Sequence, residues 1–526
     1  MRAKALLLVV CFLASAAEGR DAVHARRYIV AAAHPLAVEA GVEMLAKGGS
    51  ALDAAVAVQM VLGLVEPESS GIGGGAFLLY WSEKEKALRS YDGRETAPAA
   101  ARPDRFLNMK FMEAAVGGRS VGVPGVVAML DMAHRRHGQL PWRELFQPAI
   151  RIAESGFEIS PRLREALDQE RYLRDDPEAR ALYYSGSRRI VNKAYAATLR
   201  SLAEDPGRFY KGEIAADIVR VVRTRGGDLV AQDLAAYRAV EREPVCAPYR
   251  RHRVCSMGPP SAGGIAVLQI LGLLERTDFA AAPPRSAQAA HLFAEAGRLA
   301  YADRARYGAD ADFVPVPVAR LLNARYLDGR ARLVTERAMT LAPPGDTEGG
   351  TSHFSIADAA GNVVSMTSTI ESSFGSRLMA RGMHLNNELT DFDFVPGGAN
   401  AVAPGKRPRS SMAPLVVFDA DGRVRMALGS PGGSWIINYV AKTLVAALDW
   451  GLDPQAAIDA PNLGNRNGPT VLEEGSGAVD LAAELKSRGH EVQLLPLTSG
   501  VHFIERTPDG WRGGADPRRE GIVAGR

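Results

Sequence analysis

The stretch EGGTSHFSIAD, residues 348 to 358, sets a hydroxyl directly behind two glycines. A glycine pair leaves the backbone sterically open, so the Thr351 hydroxyl could reach the peptide bond that precedes it. Threonine is a poor nucleophile unless a base stands beside it. A cut between Gly350 and Thr351 would supply that base. The freed α-amino group, with a pKa of about 7.7–8, could take the proton from its own side chain. In an uncut chain the same residue would be a plain strand threonine.

Two strands must position this hydroxyl. TSHFSIADAAGNVVSMTSTIESSFGS reads as two alternating runs around a turn at residues 358–362. A five-residue turn sets Ala357 against Val363, and counting back sets Thr351 against Thr369. A slip of one residue would undo that pairing. Upstream, AHPLAVEAGVEMLAKGG is a helix with Pro35 in its first turn and Gly48 and Gly49 at its stop. SALDAAVAVQMVLGLVEP follows, a buried helix opened by Ser50 and Asp53 as a variant capping box. SSGIGGGAFLLYW is a glycine loop feeding a strand, and LRSYDGRETAP is a strand ending near Arg94. The GIGGG loop lacks the Lys-Ser/Thr ending of a phosphate loop and the spacing of a dinucleotide fingerprint. It reads as close backbone packing near the site. From about Pro141 to Arg337 the chain is mostly helical, with a few strands.

The 526 residues are 47% apolar and 23% charged, an ordinary globular composition. A net charge of +3 gives no reason to expect nucleic acid or an acidic surface as partner. Residues 1–17 read as a secretory signal: basic Arg2 and Lys4, an apolar run from Ala5 to Leu13, then small residues, with cleavage near Ala16 or Ala17. The mature protein is therefore expected outside the cytoplasm, without a stable membrane anchor. Cys246 and Cys255 flank a basic turn at Arg250 and Arg251. A hairpin there would place their sulfurs opposite each other, as a disulfide or as two buried thiols. Histidines are few and no pair has ligand spacing, so no metal or cofactor is implied.

The motifs GGTSHFSIAD, NNELTDF, KRPRSSMAP and GSPGGS resemble those of the gamma-glutamyltranspeptidase family. SSGIGGGAF, DGRETAP, PPSAGGI and the terminal GGADPRREG continue the resemblance, in order, over nearly the whole mature chain. It implies an α+β fold, the four-layer α/β/β/α sandwich of the N-terminal nucleophile hydrolases. It also implies a precursor cut between Gly350 and Thr351 into a large subunit, 18–350, and a small subunit, 351–526, intertwined in one domain. Thr351 is then the nucleophile, with Thr369 supporting it by hydrogen bonding. GSPGGS resembles the oxyanion loop, with Gly432 and Gly433 turning N–H groups toward a tetrahedral intermediate. Arg94 matches the carboxylate-binding arginine, and Ser410 and Ser411 match the serines beside it. Asp391 matches the acid that holds the substrate ammonium, and Glu388 occupies another ammonium-side position. Read singly, Arg94 could be a surface ion pair, Asp391 a turn cap, and PGG an ordinary turn.

Two departures bear on specificity. Glu371 stands where the family often has asparagine, which would gather Glu371, Glu388 and Asp391 about the ammonium position unless Arg377 neutralises Glu371. The run DFDFVPGGANAVAPGKRP is also short where many members carry a longer lid loop, which implies a more open, wetter site. The resemblance implies a γ-glutamyl amide such as glutathione as substrate and an amino acid, peptide or water as acceptor. Two rivals remain: an acylase for glutaryl-type side chains on the same scaffold, and an inactive secreted binding protein in which Gly350 and Thr351 stay joined.

Overall fold

The structure, a computed structural model, describes residues 20–339 and 350–526. The expected signal segment and Gly349 lie outside the described residues. Two seven-stranded antiparallel sheets form the centre. One runs Ile522–Gly525, Ile29–Ala32, Gly350–Ala357, Val363–Glu371, Gly75–Ser82, Ala87–Gly93 and Val240–Arg242. The other runs Val23–Ala25, Gly510–Ala515, His502–Thr507, Val424–Gly429, Leu415–Phe418, His252–Ser256 and Val245–Tyr249. Both sheets draw strands from each side of the Gly350–Thr351 bond.

Strand alternation explains the layering, because successive side chains point to opposite faces. In the first sheet Val30, Ala32, Leu78, Tyr80, Phe354, Ile356, Val364 and Met366 face outward, into a core shared with the helices Pro35–Ala46 and Ala51–Val65. Their odd-numbered neighbours Ile29, Ala31, Leu79, Trp81, Ala357 and Val363 face inward, against Val416, Phe418, Val424, Ala427 and Ile504 of the second sheet. That sheet's outer face, with Val254, Leu415, Val417, Met426, Leu428 and Phe503, packs on the helices Gly263–Leu274, Ala287–Tyr307 and Ile436–Leu448. The result is the expected α/β/β/α sandwich.

Local expectations hold where local chemistry decides. Pro35 opens its helix and Ser50 with Asp53 forms the capping box. The hairpin register is Ala357 to Val363 and Thr351 to Thr369. Its turn is tied by Asp358, whose carboxylate accepts from the amides of Ala360 and Asn362 and, across the layers, from Ala51 N–H at 2.9 Å. Cys246 and Cys255 pair across an antiparallel hairpin turned at Arg250, and their sulfurs are joined as a disulfide.

Candidate active site

Thr351 lies at the open end of the hairpin, where the register shifts between Gly350 and Thr351 and Gly350 comes opposite Glu371. Its Oγ1 sits 3.4 Å from Thr369 Oγ1. Thr369 Oγ1 accepts from Glu371 N–H at 2.8 Å. Arg519 donates to the Thr351 carbonyl at 3.1 Å. Both threonines are nearly buried, as the first inward-facing pair of the hairpin. The glycine loop makes this fit possible. A Cβ on Gly74 would lie 2.0 Å from the Thr369 carbonyl oxygen, and one on Gly73 would lie 2.0 Å from that of His384.

A cleft of about 370 Å³ opens in front of the pair. Arg94, Glu371, Glu388, Asp391, Ser410, Ser411 and Gly433 all line it, although they are scattered over more than three hundred positions of sequence. Arg94 follows the last residue of Ala87–Gly93 and is fully buried. Its amide bonds Asp92, and Tyr237 holds its carbonyl. Its guanidinium donates to Glu388 and Asp391, which one short 3-10 turn, Glu388–Asp391, presents on a single face three residues apart. The carbonyls of Pro408 and Arg409 take two more donors at 3.1 and 2.9 Å. Ser410 Oγ accepts from Met412 N–H at 3.1 Å.

The cleft is rich in acids. Burial pushes Glu388 up to about 7 against the pull of Arg94. Burial, with the charges of Asp391 and Glu388, pushes Glu371 well above the carboxylate range. Asn387 donates to Glu371. Arg377 makes no ion pair with Glu371; it pairs with Glu170 at 3.2 Å and donates to Ser372 at 2.7 Å, and its charge only partly offsets the burial of Glu371. Glu371 also has φ of +77°, the left-handed region that asparagine tolerates better than glutamate. Such backbone costs of order ~1–3 kcal/mol and persists where surrounding structure enforces it.

Gly432 and Gly433 have φ of +129° and +54° and lead through the 3-10 turn Gly433–Trp435 into Ile436–Leu448. A Cβ on Gly432 would lie 2.6 Å from the Tyr439 ring. Gly433 lines the cleft; Gly432 shapes the turn behind it. Within the short run 391–408 Asn400 donates to the Asp391 carbonyl at 2.7 Å, and Arg409, just after it, pairs with Asp393 at 3.2 Å, so the loop braces the acid turn.

Sequence reasoning missed three charged groups. Glu95 is fully buried behind Arg94, at 3.8 Å from Nη1, and burial and Glu388 hold it well above its usual range. Its place beside Arg94 in GRETAP was the available signal. Arg304 lines the cleft from the helix Ala287–Tyr307, and Arg519 reaches Thr351 from the terminal motif. Nothing local in sequence marks either as a neighbour of Thr351.

The family model described as gamma-glutamyltranspeptidase matches residues 37–526. The chain is 36% identical to the glutathione hydrolase proenzyme of Escherichia coli strain K12, covering 98% of this chain and 96% of that protein. It is also 36% identical to the acylase ACY 1 proenzyme of Pseudomonas sp. strain SE83, covering 93% and 91%. Among solved structures, cephalosporin acylase from Bacillus halodurans matches with TM-score 0.88 at 28% identity over 99% of both chains. Gamma-glutamyltranspeptidase from Pseudomonas nitroreducens complexed with L-DON matches with TM-score 0.56 at 33% identity, covering 58% of this chain and 94% of that one.

Proposed function

The chain belongs to the gamma-glutamyltranspeptidase family, and from that premise we propose that it matures by cutting itself between Gly350 and Thr351 and then hydrolyses or transfers γ-glutamyl groups. One observation carries this reading: Thr351 and Thr369 meet at the head of a cleft that holds Arg94 and three acids within one 370 Å³ space.

In maturation Thr351 Oγ1 attacks the Gly350 carbonyl carbon. The peptide C–N bond breaks as an ester forms, and water opens the ester. Gly350 keeps the carboxylate and Thr351 gains a free amine. In turnover that amine takes the Thr351 hydroxyl proton while Oγ1 attacks the γ-carbonyl of the donor. The oxyanion collects N–H donors at the Gly432–Gly433 turn. Collapse expels the amine leaving group, which receives the proton. Water or an amino group then opens the threonyl ester, releasing glutamate or the transfer product. Thr369 holds the Thr351 oxygen in line. Arg94, Ser410 and Ser411 receive the donor's α-carboxylate, and Asp391 with Glu388 and Glu371 receives its α-ammonium.

The acylase relatives supply the second reading, a side chain with a carboxylate and no amine. Asp391 and Glu388 oppose it, since without an ammonium in the cleft their charge, only partly offset by the one Arg94 guanidinium they share, repels an anion. Export follows from the signal-like residues 1–17, and among the described residues no helix is long and apolar enough to cross a membrane.

The test is an intact mass spectrum of the purified protein followed by assays on γ-glutamyl and glutaryl anilides. Two chains, the smaller starting at Thr351, with faster release from the γ-glutamyl anilide, support the proposal. One uncut, folded chain after prolonged incubation would overturn it. Preference for the glutaryl anilide would move the chain to the acylase reading.

A further inference from the structure

We propose that Arg304 is a positioning residue for the carboxylate of the acyl donor, acting through the Ser411 hydroxyl. The inference rests on the γ-glutamyl reading above and adds a residue to it.

Arg304 Nη2 donates to Ser411 Oγ at 2.5 Å. A guanidinium has donors only, so Ser411 must accept this bond and keep its own hydrogen for another partner. Among the described residues no protein group takes that hydrogen, and Ser411 lines the cleft. Arg304 thereby makes Ser411 a donor aimed at whatever anion enters. Without the guanidinium, the hydroxyl is free to rotate and to present a lone pair, which an anion would repel.

The charge on Arg304 points the same way. Arg94 directs four of its five donors to Glu388, Asp391 and two carbonyls. Arg304, by contrast, forms no ion pair among the described residues, and its Nε is buried without a hydrogen-bond partner. Burial and the neighbouring Arg409 pull it down only to about 10, so it stays charged at neutral pH. A cleft lined by Glu371, Glu388 and Asp391 suits an ammonium. The carboxylate of the same amino-acid head meets in Arg94 a cation already shared by two acids, and Arg304, which has no ion pair among the described residues, adds its influence through Ser411.

The experiment compares two para-nitroanilides on wild type, Arg304→Met, Arg304→Lys, Ser411→Ala and the Arg304→Met/Ser411→Ala pair. One substrate is the γ-glutamyl anilide. The other is the γ-aminobutyryl anilide, which keeps the amine and chain but lacks the α-carboxylate. Mass spectrometry first confirms that each variant carries the cut at Thr351; should Arg304→Met fail to process, Arg304→Lys carries the same comparison. For Arg304→Met the KM for the γ-glutamyl anilide should rise about tenfold or more with kcat within about threefold. The γ-aminobutyryl anilide should change by less than about threefold. Lysine should restore part of the loss, and the double variant should be no worse than Ser411→Ala alone. Equal losses on both anilides, or additive losses in the pair, would overturn the inference while leaving the function intact. A processed wild type that releases neither product would overturn the proposed function, and this inference with it.

Discussion

Single residues divide the labour of the cleft by charge and by hydrogen supply. On the proposed mechanism Thr351 brings the oxygen and its own freed amine the base, so one substitution should remove both maturation and turnover. Thr351→Ala should remain one chain by mass spectrometry and lose ~10⁴-fold or more in kcat. Charge governs binding. Glu388 ionises near pH 7, since burial raises it to about 7, and each proton lost adds negative charge around the ammonium position. KM for the γ-glutamyl anilide should therefore fall several-fold from about pH 6 to about pH 8, with the substrate amine charged throughout. Glu388→Gln should flatten that fall; a KM independent of pH in the parent enzyme would refute the assignment.

At the scale of elements, the hairpin is the device that brings the two threonines together, and its turn is anchored outside itself. Asp358 accepts four hydrogen bonds, from Ala360 N–H, Asn362 N–H, Asn362 Nδ2 and Ala51 N–H. The last lies in the first turn of Ala51–Val65, so the carboxylate also meets the positive end of that helix. Asp358→Ala leaves these donors without their partner. It should destabilise the protein by ~2–4 kcal/mol in denaturant titrations and slow the appearance of the small subunit, because the turn sets the register that aligns Thr351 with Thr369.

Across the whole molecule, several buried acids contribute to the pH dependence of stability. Burial raises Glu68 to about 7, as it does Glu388, and holds Glu371 and Glu95 well above the usual carboxylate range. An acid whose folded pKa exceeds its unfolded value binds more protons in the folded state. Its stabilising contribution is complete below about 4.5 and is lost as pH rises to about 7. These acids therefore contribute a decline in melting temperature over that interval, opposed by the buried neutral histidines His137, His384, His490 and His502, whose lowered pKa values add stability as pH rises toward about 6.5. Glu68 lies away from the cleft, 3.2 Å from Arg162, with both carboxylate oxygens lacking hydrogen-bond partners. Glu68→Gln should flatten part of the decline in scanning calorimetry without altering the KM profile.

The sequence alone determined whatever depends on neighbours along the chain. Alternation over residues 351–371 with a five-residue turn sufficed for the hairpin register, because the turn length fixes the first facing pair and strand geometry carries that pairing to the open end. Capping at Ser50 and Asp53, the hairpin that joins Cys246 to Cys255, and the close packing of the glycine loop were legible for the same reason. The motifs also named most of the cleft. Tertiary structure decided how the charges are shared. Arg94 is claimed by Glu388 and Asp391 at once, Arg377 turns to Glu170 instead of Glu371, and Arg304 and Arg519 arrive from a distant helix and the chain's end. These choices depend on burial and on distances between segments hundreds of residues apart, and neither spacing nor periodicity encodes which of several acids a buried guanidinium will meet.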